Sequence, residues 1–129
     1  MTTLGDLQLA IMRVVWESGE ATAAEVHAAL ADERGLAPTT IATMLRKLED
    51  KGVVAHRVVG RVFVYRAAVE ERAVHRSMVG ELVRRVFDGD PRQLVSHLLT
   101  EGQVDLAELD ALRRKIAAHE RKRRRELRR

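Results

Sequence analysis

The sequence predicts a mainly α-helical fold that contains one small β-hairpin. Through most of the chain, apolar residues recur three or four positions apart, which is the spacing of one face of an α-helix. Residues 53–66 are the exception, because β-branched and aromatic residues there lie on both sides of Gly60. The predicted order is therefore three helices, a hairpin and three further helices. We divide the chain into two predicted domains, residues 1–67 and residues 68–129.

Local signals delimit the first two helices. Residues 4–17 carry an apolar stripe at helical spacing, and Gly19 ends this helix, because glycine readily adopts the left-handed backbone of a helix end. The second helix begins near Thr22, since Thr22 and Glu25 have the spacing of a capping box. Val26, Ala29 and Leu30 are expected to face inward from it.

The third helix begins at Pro38, because a proline in the first turn gives up an N–H that has no partner there. Gly52 ends it. One face carries the apolar residues Ile41, Met44, Leu45 and Leu48. The opposite face carries hydroxyl and charged side chains: Thr39, Thr40, Thr43, Arg46, Lys47 and Asp50. Because threonine is an indifferent helix former, three threonines in this short stretch indicate a role other than helix stability.

The predicted hairpin pairs residues 53–58 with residues 61–66. Arg57 and Arg61 flank its tip, where Gly60 supplies the turn. Apolar residues occupy both parities of the second arm, with Val62 and Val64 on one and Phe63 and Tyr65 on the other, so the pattern does not predict which face of the hairpin is buried.

Three further helices are predicted after residue 69. "DGDP" at residues 88–91 separates the first two, Asp105 begins the last, and the end beyond Ala118 is expected to fray. Their apolar stripes are too short to form a substantial core alone. We therefore expect a homodimer in which two copies bury these stripes: Val74, Met78, Leu82, Val86, Leu94, Leu98, Leu106, Leu109, Leu112 and Ile116.

Composition excludes several classes of protein. Hydrophobic residues make up 46% of the chain, which suits a folded core, and no apolar run approaches the roughly 18 residues of a membrane span. The N-terminus lacks the basic segment of a signal peptide, and the absence of cysteine fits a reducing compartment, so we expect a cytoplasmic protein. The five histidines have no metal-ligand spacing. Without a nucleophile constellation or phosphate loop, we expect neither an enzyme nor a cofactor.

Charge is distributed unevenly along the chain. Residues 38–66 carry six cations and two anions, and residues 113–129 carry ten cations and two anions, whereas the remainder is acidic. Two basic regions in an otherwise acidic chain favour a polyanion such as DNA as the partner.

A third helix that follows a short turn and precedes a hairpin is the arrangement of a winged helix-turn-helix. An α-helix fits the major groove, and threonine can both hydrogen-bond a base edge and pack its methyl on thymine. Thr39, Thr40 and Thr43 are therefore predicted to face the bases. Phosphate contacts are predicted from the later helix turns, the hairpin and the start of the second helix: Arg46, Lys47, Arg57, Arg61 and Thr22.

The chain resembles the penicillinase-repressor family of winged-helix repressors, the BlaI/MecI/CopY type. The resemblance rests on "LGDLQLAIMRVVWESGEATAAEVHAAL", "TTIATMLRKLEDKGVV", "RVFVYRA" and "DGDPRQLVSHLL", in this order. It implies a cytoplasmic homodimer that binds double-stranded DNA at an inverted repeat and dimerises through its C-terminal helices. Thr40 and Thr43 match threonines of the family, whereas Thr39 and Ala42 stand where well-known members have basic residues. That departure implies a different half-site or weaker binding.

The resemblance also bears on the inducing signal. Copper-responsive members carry a C-terminal cysteine cluster, which this chain lacks. In β-lactam-responsive members a sensor protease leads to cleavage at an Asn-Phe bond, and the matching place here is His97-Leu98. This difference argues against a sensor protease as a partner.

Two other interpretations remain open at this stage. A small-molecule-responsive regulator of the multiple-antibiotic-resistance type usually has helices before its DNA-binding unit, whereas here the first predicted helix begins near residue 4. A winged-helix module that binds protein should present an apolar or acidic face on its third helix, and this face is neither. Ligand-induced release of DNA would support the first alternative, and protein binding without salt-sensitive DNA affinity would support the second.

Overall fold

The computed structural model describes residues 3–128, without the side chains of residues 33 and 34, and the predicted fold class is confirmed there. The helices are α1 (Asp6–Ser18), α2 (Ala23–Arg34), α3 (Pro38–Asp50), α4 (Glu71–Val86), α5 (Pro91–Thr100) and α6 (Leu106–Leu127). The strands are β1 (Glu20–Thr22), β2 (Val54–Val59) and β3 (Val62–Ala67).

Helix starts follow the predicted capping chemistry. The Thr22 hydroxyl accepts a hydrogen bond from the Glu25 amide at 3.1 Å, and the Glu25 carboxylate accepts one from the Thr22 amide at 3.0 Å. Asp105 caps α6 in the same reciprocal way with Glu108. The expected fraying beyond Ala118 is wrong, because α6 continues as a regular helix to Leu127.

The strands form one antiparallel sheet in the order β1-β3-β2. β1 was not predicted from the sequence, and both predicted hairpin arms are one residue too early. Val59 pairs with Val62, so Gly60 and Arg61 form a two-residue turn. Gly60 has φ 65°, which suits the first central position of a hairpin turn that glycine favours.

The hydrophobic core lies among α1, α2, α3 and the sheet. Ile41, Leu45 and Leu48 are fully buried in it, as the apolar face of α3 predicted. Val26 and Leu30 are also buried, whereas Ala29 is exposed, so its predicted inward orientation is wrong. Burial of one face of α3 leaves the opposite face directed to solvent.

The chain divides into two compact units, Met1–Glu81 and Leu82–Arg129. This division falls within α4 and later than the boundary expected after residue 67. The difference arises because Val74 (1% exposed) and Met78 pack against the core of the first unit. Up to residue 128, Val83 is the only buried apolar side chain of the second unit, and the described helices α5 and α6 bury none.

Candidate nucleic-acid interface

The exposed face of α3 presents the side chains that the sequence predicted for base and phosphate contact. Thr39, Thr43, Arg46 and Lys47 are exposed, and Thr40 is half-buried. At 100° per residue these five positions lie within about 120° of one another on the helix. Short hydroxyl side chains therefore occupy the first turns and cations the later turns of a single surface.

An open cleft of about 430 Å³ joins three of the predicted phosphate contacts. It is lined by the start of α2, by α3 and by the hairpin, with Thr22, Arg46 and Arg61 among its wall residues. Thr22 is the N-cap of α2, so amide groups of the first helical turn face this region with the positive end of the helix dipole. Two guanidinium groups and a helix amino end in one cleft suit an anionic oxygen.

A polar and aromatic cluster connects the end of α3 to the hairpin. His56 Nδ1 lies 2.7 Å from both carboxylate oxygens of Glu49. The His56 ring also stacks on Phe63, with centroids 4.0 Å apart and planes 12° apart. These contacts fix the hairpin against the helix whose outer face carries the threonines. This cluster was not predicted from the sequence, although His56 shares its parity on β2 with the buried Val54, which could have indicated it.

Tyr65 lies beneath this cluster and is 4% exposed. Burial raises the pKa of the Tyr65 phenol, the charge of Glu49 raises it further and that of Arg46 lowers it. The phenol therefore stays neutral at physiological pH, and Tyr65 contributes an uncharged wall to the cleft.

The structure places Arg57 differently from the other predicted DNA contacts. Arg57 opposes Val64 and so lies on the sheet face opposite to Tyr65, away from the core side. Its Nε and Nη2 atoms lie 3.0 Å and 2.8 Å from Glu20 Oε2 on β1. The Arg57 side chain is 59% exposed and its ion pair with Glu20 lies at the surface, so Arg57 stays a proposed phosphate contact that would exchange Glu20 for a phosphate.

The residues predicted for dimerisation fall into two groups. Val74 is buried in the core of the first unit, so it is unavailable to a second copy, and Met78 is partly buried against the same core. The others belong to the second unit, where Leu94, Leu98 and Leu109 are half-buried and the remainder are exposed: Leu82, Val86, Leu106, Leu112 and Ile116.

Other kinds of site find little support between residues 3 and 128. No group of three or more metal-ligating side chains occurs in that range, and His75 meets Glu71 only at 4.0 Å. None of its helices combines the length and apolar character needed to cross a bilayer. His97 and Leu98 lie inside α5.

Comparison with known proteins gives concordant matches. Residues 4–118 match the penicillinase repressor family. The chain is 36% identical over 120 residues to the transcriptional regulator BlaI of Mycobacterium tuberculosis, covering 91% of this chain and 85% of that protein. It is 28% identical over 116 residues to the penicillinase repressor of Bacillus licheniformis, covering 90% of this chain and 91% of that protein. The solution structure of the DNA binding domain of the repressor BlaI matches with a TM-score of 0.50 at 36% identity, covering 54% of this chain and 84% of that domain.

Proposed function

The chain belongs to the penicillinase repressor family and is a DNA-binding transcriptional repressor, and we propose that it binds an inverted-repeat operator as a homodimer through the outer face of α3. The observation that carries the proposal is the exposed surface of α3, where threonines and cations share one face above a fully buried apolar face.

Base contact is assigned to Thr39, Thr40 and Thr43. A helix with its side chains is about 10–12 Å across and fits a major groove about 12 Å wide. Threonine is short, so the backbone of α3 can approach the base edges. Because Thr39 and Ala42 replace basic residues found in well-known members, the half-site is expected to differ from theirs.

Phosphate contact is assigned to two places besides Arg57. Arg46 and Lys47 project from the later turns of α3, where the helix leaves the groove. The cleft between α2, α3 and the hairpin holds a second phosphate between Thr22 and Arg61. These contacts set the register of α3 on the duplex but carry no sequence information themselves.

Homodimerisation is supported by the apolar surface of the second unit. Six large apolar side chains of this unit are at least 47% exposed: Val86, Val95, Leu106, Leu112, Ile116 and Leu127. A stable fold rarely leaves so many large apolar side chains in water unless another surface covers them. A second copy is the simplest cover, since two-fold dimers are the commonest oligomers. Two copies of α3 would then read two half-sites related by a dyad.

The proposal also covers where the protein acts, whether it catalyses a reaction and whether a sensor protease is a partner. We place its action in the cytoplasm, where relatives of this kind would meet their operators, and no catalytic step enters that action. We do not include a sensor protease, because His97-Leu98 lies within a helix and differs from the Asn-Phe bond cleaved in relatives.

Hydroxyl-radical footprinting on a bound duplex tests the proposal. We expect two protected patches related by a dyad, with centres roughly 10 base pairs or a multiple of that apart. A single protected patch would contradict the homodimer, and protection without any preferred position would contradict sequence-specific binding. Thr100→Ala, an exposed threonine on α5, serves as a matched control and should leave the footprint unchanged.

A further inference from the structure

One face of α6 concentrates arginine side chains. At 100° per residue, six arginines lie within about 120° of the helix circumference. We call them the arginine face: Arg113, Arg114, Arg121, Arg124, Arg125 and Arg128. All six are exposed. The apolar residues Leu109, Leu112 and Ile116 occupy a separate arc about 60° wide. Leu106 lies at the angle of the arginine face but in the first turn of α6, about 22 Å along the axis from Arg121, so a dimer partner on these apolar residues leaves the arginines from Arg121 onward open.

Acidic side chains neutralise only some of the arginines of the arginine face. Asp110 accepts hydrogen bonds from Arg113 at 3.1 Å and from Arg114 at 2.7 Å. Within residues 3–128, no acidic side chain forms an ion pair with the four arginines that follow. These four line an open groove of about 250 Å³: Arg121, Arg124, Arg125 and Arg128.

Holding four unpaired cations together costs free energy in the absence of a partner. Arg121 and Arg125 lie four residues apart, as do Arg124 and Arg128, and like charges at this spacing repel one another on a helix. The negative end of the helix dipole offsets part of the repulsion in the last turn only. A polyanion would remove the remainder.

We propose that the arginine face binds the DNA phosphate backbone as a second, sequence-independent contact. The inference rests on the proposed function, since a repressor held on an operator already has duplex DNA as its nearest polyanion. Arginine also suits this role better than lysine, because its planar fork donates two hydrogen bonds to one phosphate. The first unit then selects the sequence, and α6 adds affinity for every sequence.

Part of the salt dependence of DNA affinity should therefore come from the arginine face and the rest from the first unit, and the two parts can be measured separately. Each phosphate neutralised contributes about 0.9 to the slope of log affinity against log salt. Loss of the four unpaired arginines should therefore lower the slope by about three to four units for each protomer, or about seven units for a dimer on a long duplex; changes in slope are given per protomer from here on. Discrimination between operator and random DNA should persist, because the lost contacts are the same on both.

The test uses the full chain with Arg121, Arg124, Arg125 and Arg128 all changed to Gln. Fluorescence anisotropy on a long random-sequence duplex, titrated with salt, gives the slope. The same four positions changed to Lys keep the charge and should retain most of the slope. Circular dichroism and sedimentation confirm that each variant keeps its helix content and assembly. An unchanged slope in the Gln variant would overturn the proposal, as would an equal loss in the Lys and Gln variants.

A matched pair of double variants tests the face itself. R121Q/R125Q removes two charges from the arginine face, and K115Q/K122Q removes two from the other side of α6. We expect a loss of about two units of slope for the first pair and less than one for the second. Equal losses would mean that only the total charge matters and would overturn the assignment to this face.

An anionic vesicle assay separates DNA from the other polyanionic surface that a basic helix can bind. If the quadruple Gln variant loses binding to phosphatidylglycerol vesicles and keeps the wild-type salt slope on DNA, the proposal is overturned. Failure of the proposed function would look different, because Thr43→Ala would then have no effect on sequence preference while the arginine-face variants still change the slope.

Discussion

Thr43→Ala is the substitution that most sharply separates sequence reading from folding. Thr43 is exposed in the middle of α3, on the face opposite Ile41 and Leu45. Its change to alanine creates no cavity, and alanine is the better helix former. Stability should therefore change by less than about 0.5 kcal/mol, as for other exposed positions.

The effect on binding can be worked out per half-site. Loss of one threonine contact to a base edge costs about 1 kcal/mol, the low end for such contacts, which is about fivefold in affinity. A homodimer on an inverted repeat loses the contact twice. The expected total is about 2 kcal/mol, or roughly 30-fold, on the operator. Random DNA should be bound as well as before, because its affinity depends on phosphate contacts.

Competition anisotropy measures both affinities under one condition. A labelled operator duplex is displaced by unlabelled operator or by a scrambled duplex of the same composition, with Thr100→Ala as the control. An equal loss of affinity on operator and scrambled DNA would refute the assignment of Thr43 to base contact. A fivefold loss on the operator would fit a single engaged half-site and would contradict the dimer.

Four further predictions follow from the same geometry. Lys47→Ala should lower the salt slope by about one unit on all sequences. Lys51→Ala is its control, because Lys51 Nζ contacts Gln8 at 3.1 Å within the chain. Equal slopes for the two variants would contradict a phosphate contact at Lys47. Ile116→Asp should dissociate the dimer, because it places a charge on the exposed apolar stripe of α6, and sedimentation measures the loss of the dimer. An unchanged sedimentation coefficient would place dimerisation elsewhere. Thr22→Ala should lower the free energy of unfolding by about 1 kcal/mol, because the N-cap of α2 is lost. An unchanged midpoint of urea unfolding would contradict the observed capping box. His56→Ala should lower the free energy of unfolding of the first unit by about 1–2 kcal/mol, because the Glu49 hydrogen bond and the Phe63 stack are lost. A decrease in that free energy of less than about 0.3 kcal/mol would show that the cluster does not hold the hairpin.

Local chemistry explains why α3 was predictable. Pro38 starts the helix, Gly52 follows its end, and the apolar face alone decides which residues turn outward. The threonine and cation surface could therefore be predicted without knowledge of the fold. Exposure of Thr39, Thr43, Arg46 and Lys47 depends only on this helical periodicity.

Features that depend on pairing between distant segments were not predictable. β1 has three residues, too few for a periodic pattern, and it exists as a strand because Ala21 pairs with Tyr65. The sheet face of Arg57 was ambiguous as well, since both parities of β3 carry apolar residues, Val62 and Val64 on one and Phe63 and Tyr65 on the other. Burial of Tyr65 in the tertiary structure decides which face is covered. The ion pair between Arg57 and Glu20 spans the whole sheet and leaves no local signal.

The domain boundary illustrates a second limit. The stripe of α4 is continuous in sequence, so Val74 and Val86 looked equivalent. In the structure Val74 is 1% exposed in the core of the first unit and Val86 is 61% exposed in the second. Periodicity indicates that a helix face is buried, but the partner that buries each turn is a property of tertiary packing.

The central claim is that this chain reads an inverted repeat as a dimer. The most direct measurement is selection of bound duplexes from a random pool at about 150 mM salt, followed by sequencing. The account predicts an enriched inverted repeat whose half-sites are separated by a whole number of helical turns. Recovery of unenriched DNA that is released by a modest increase in salt would contradict it, because binding would then come from the basic residues alone.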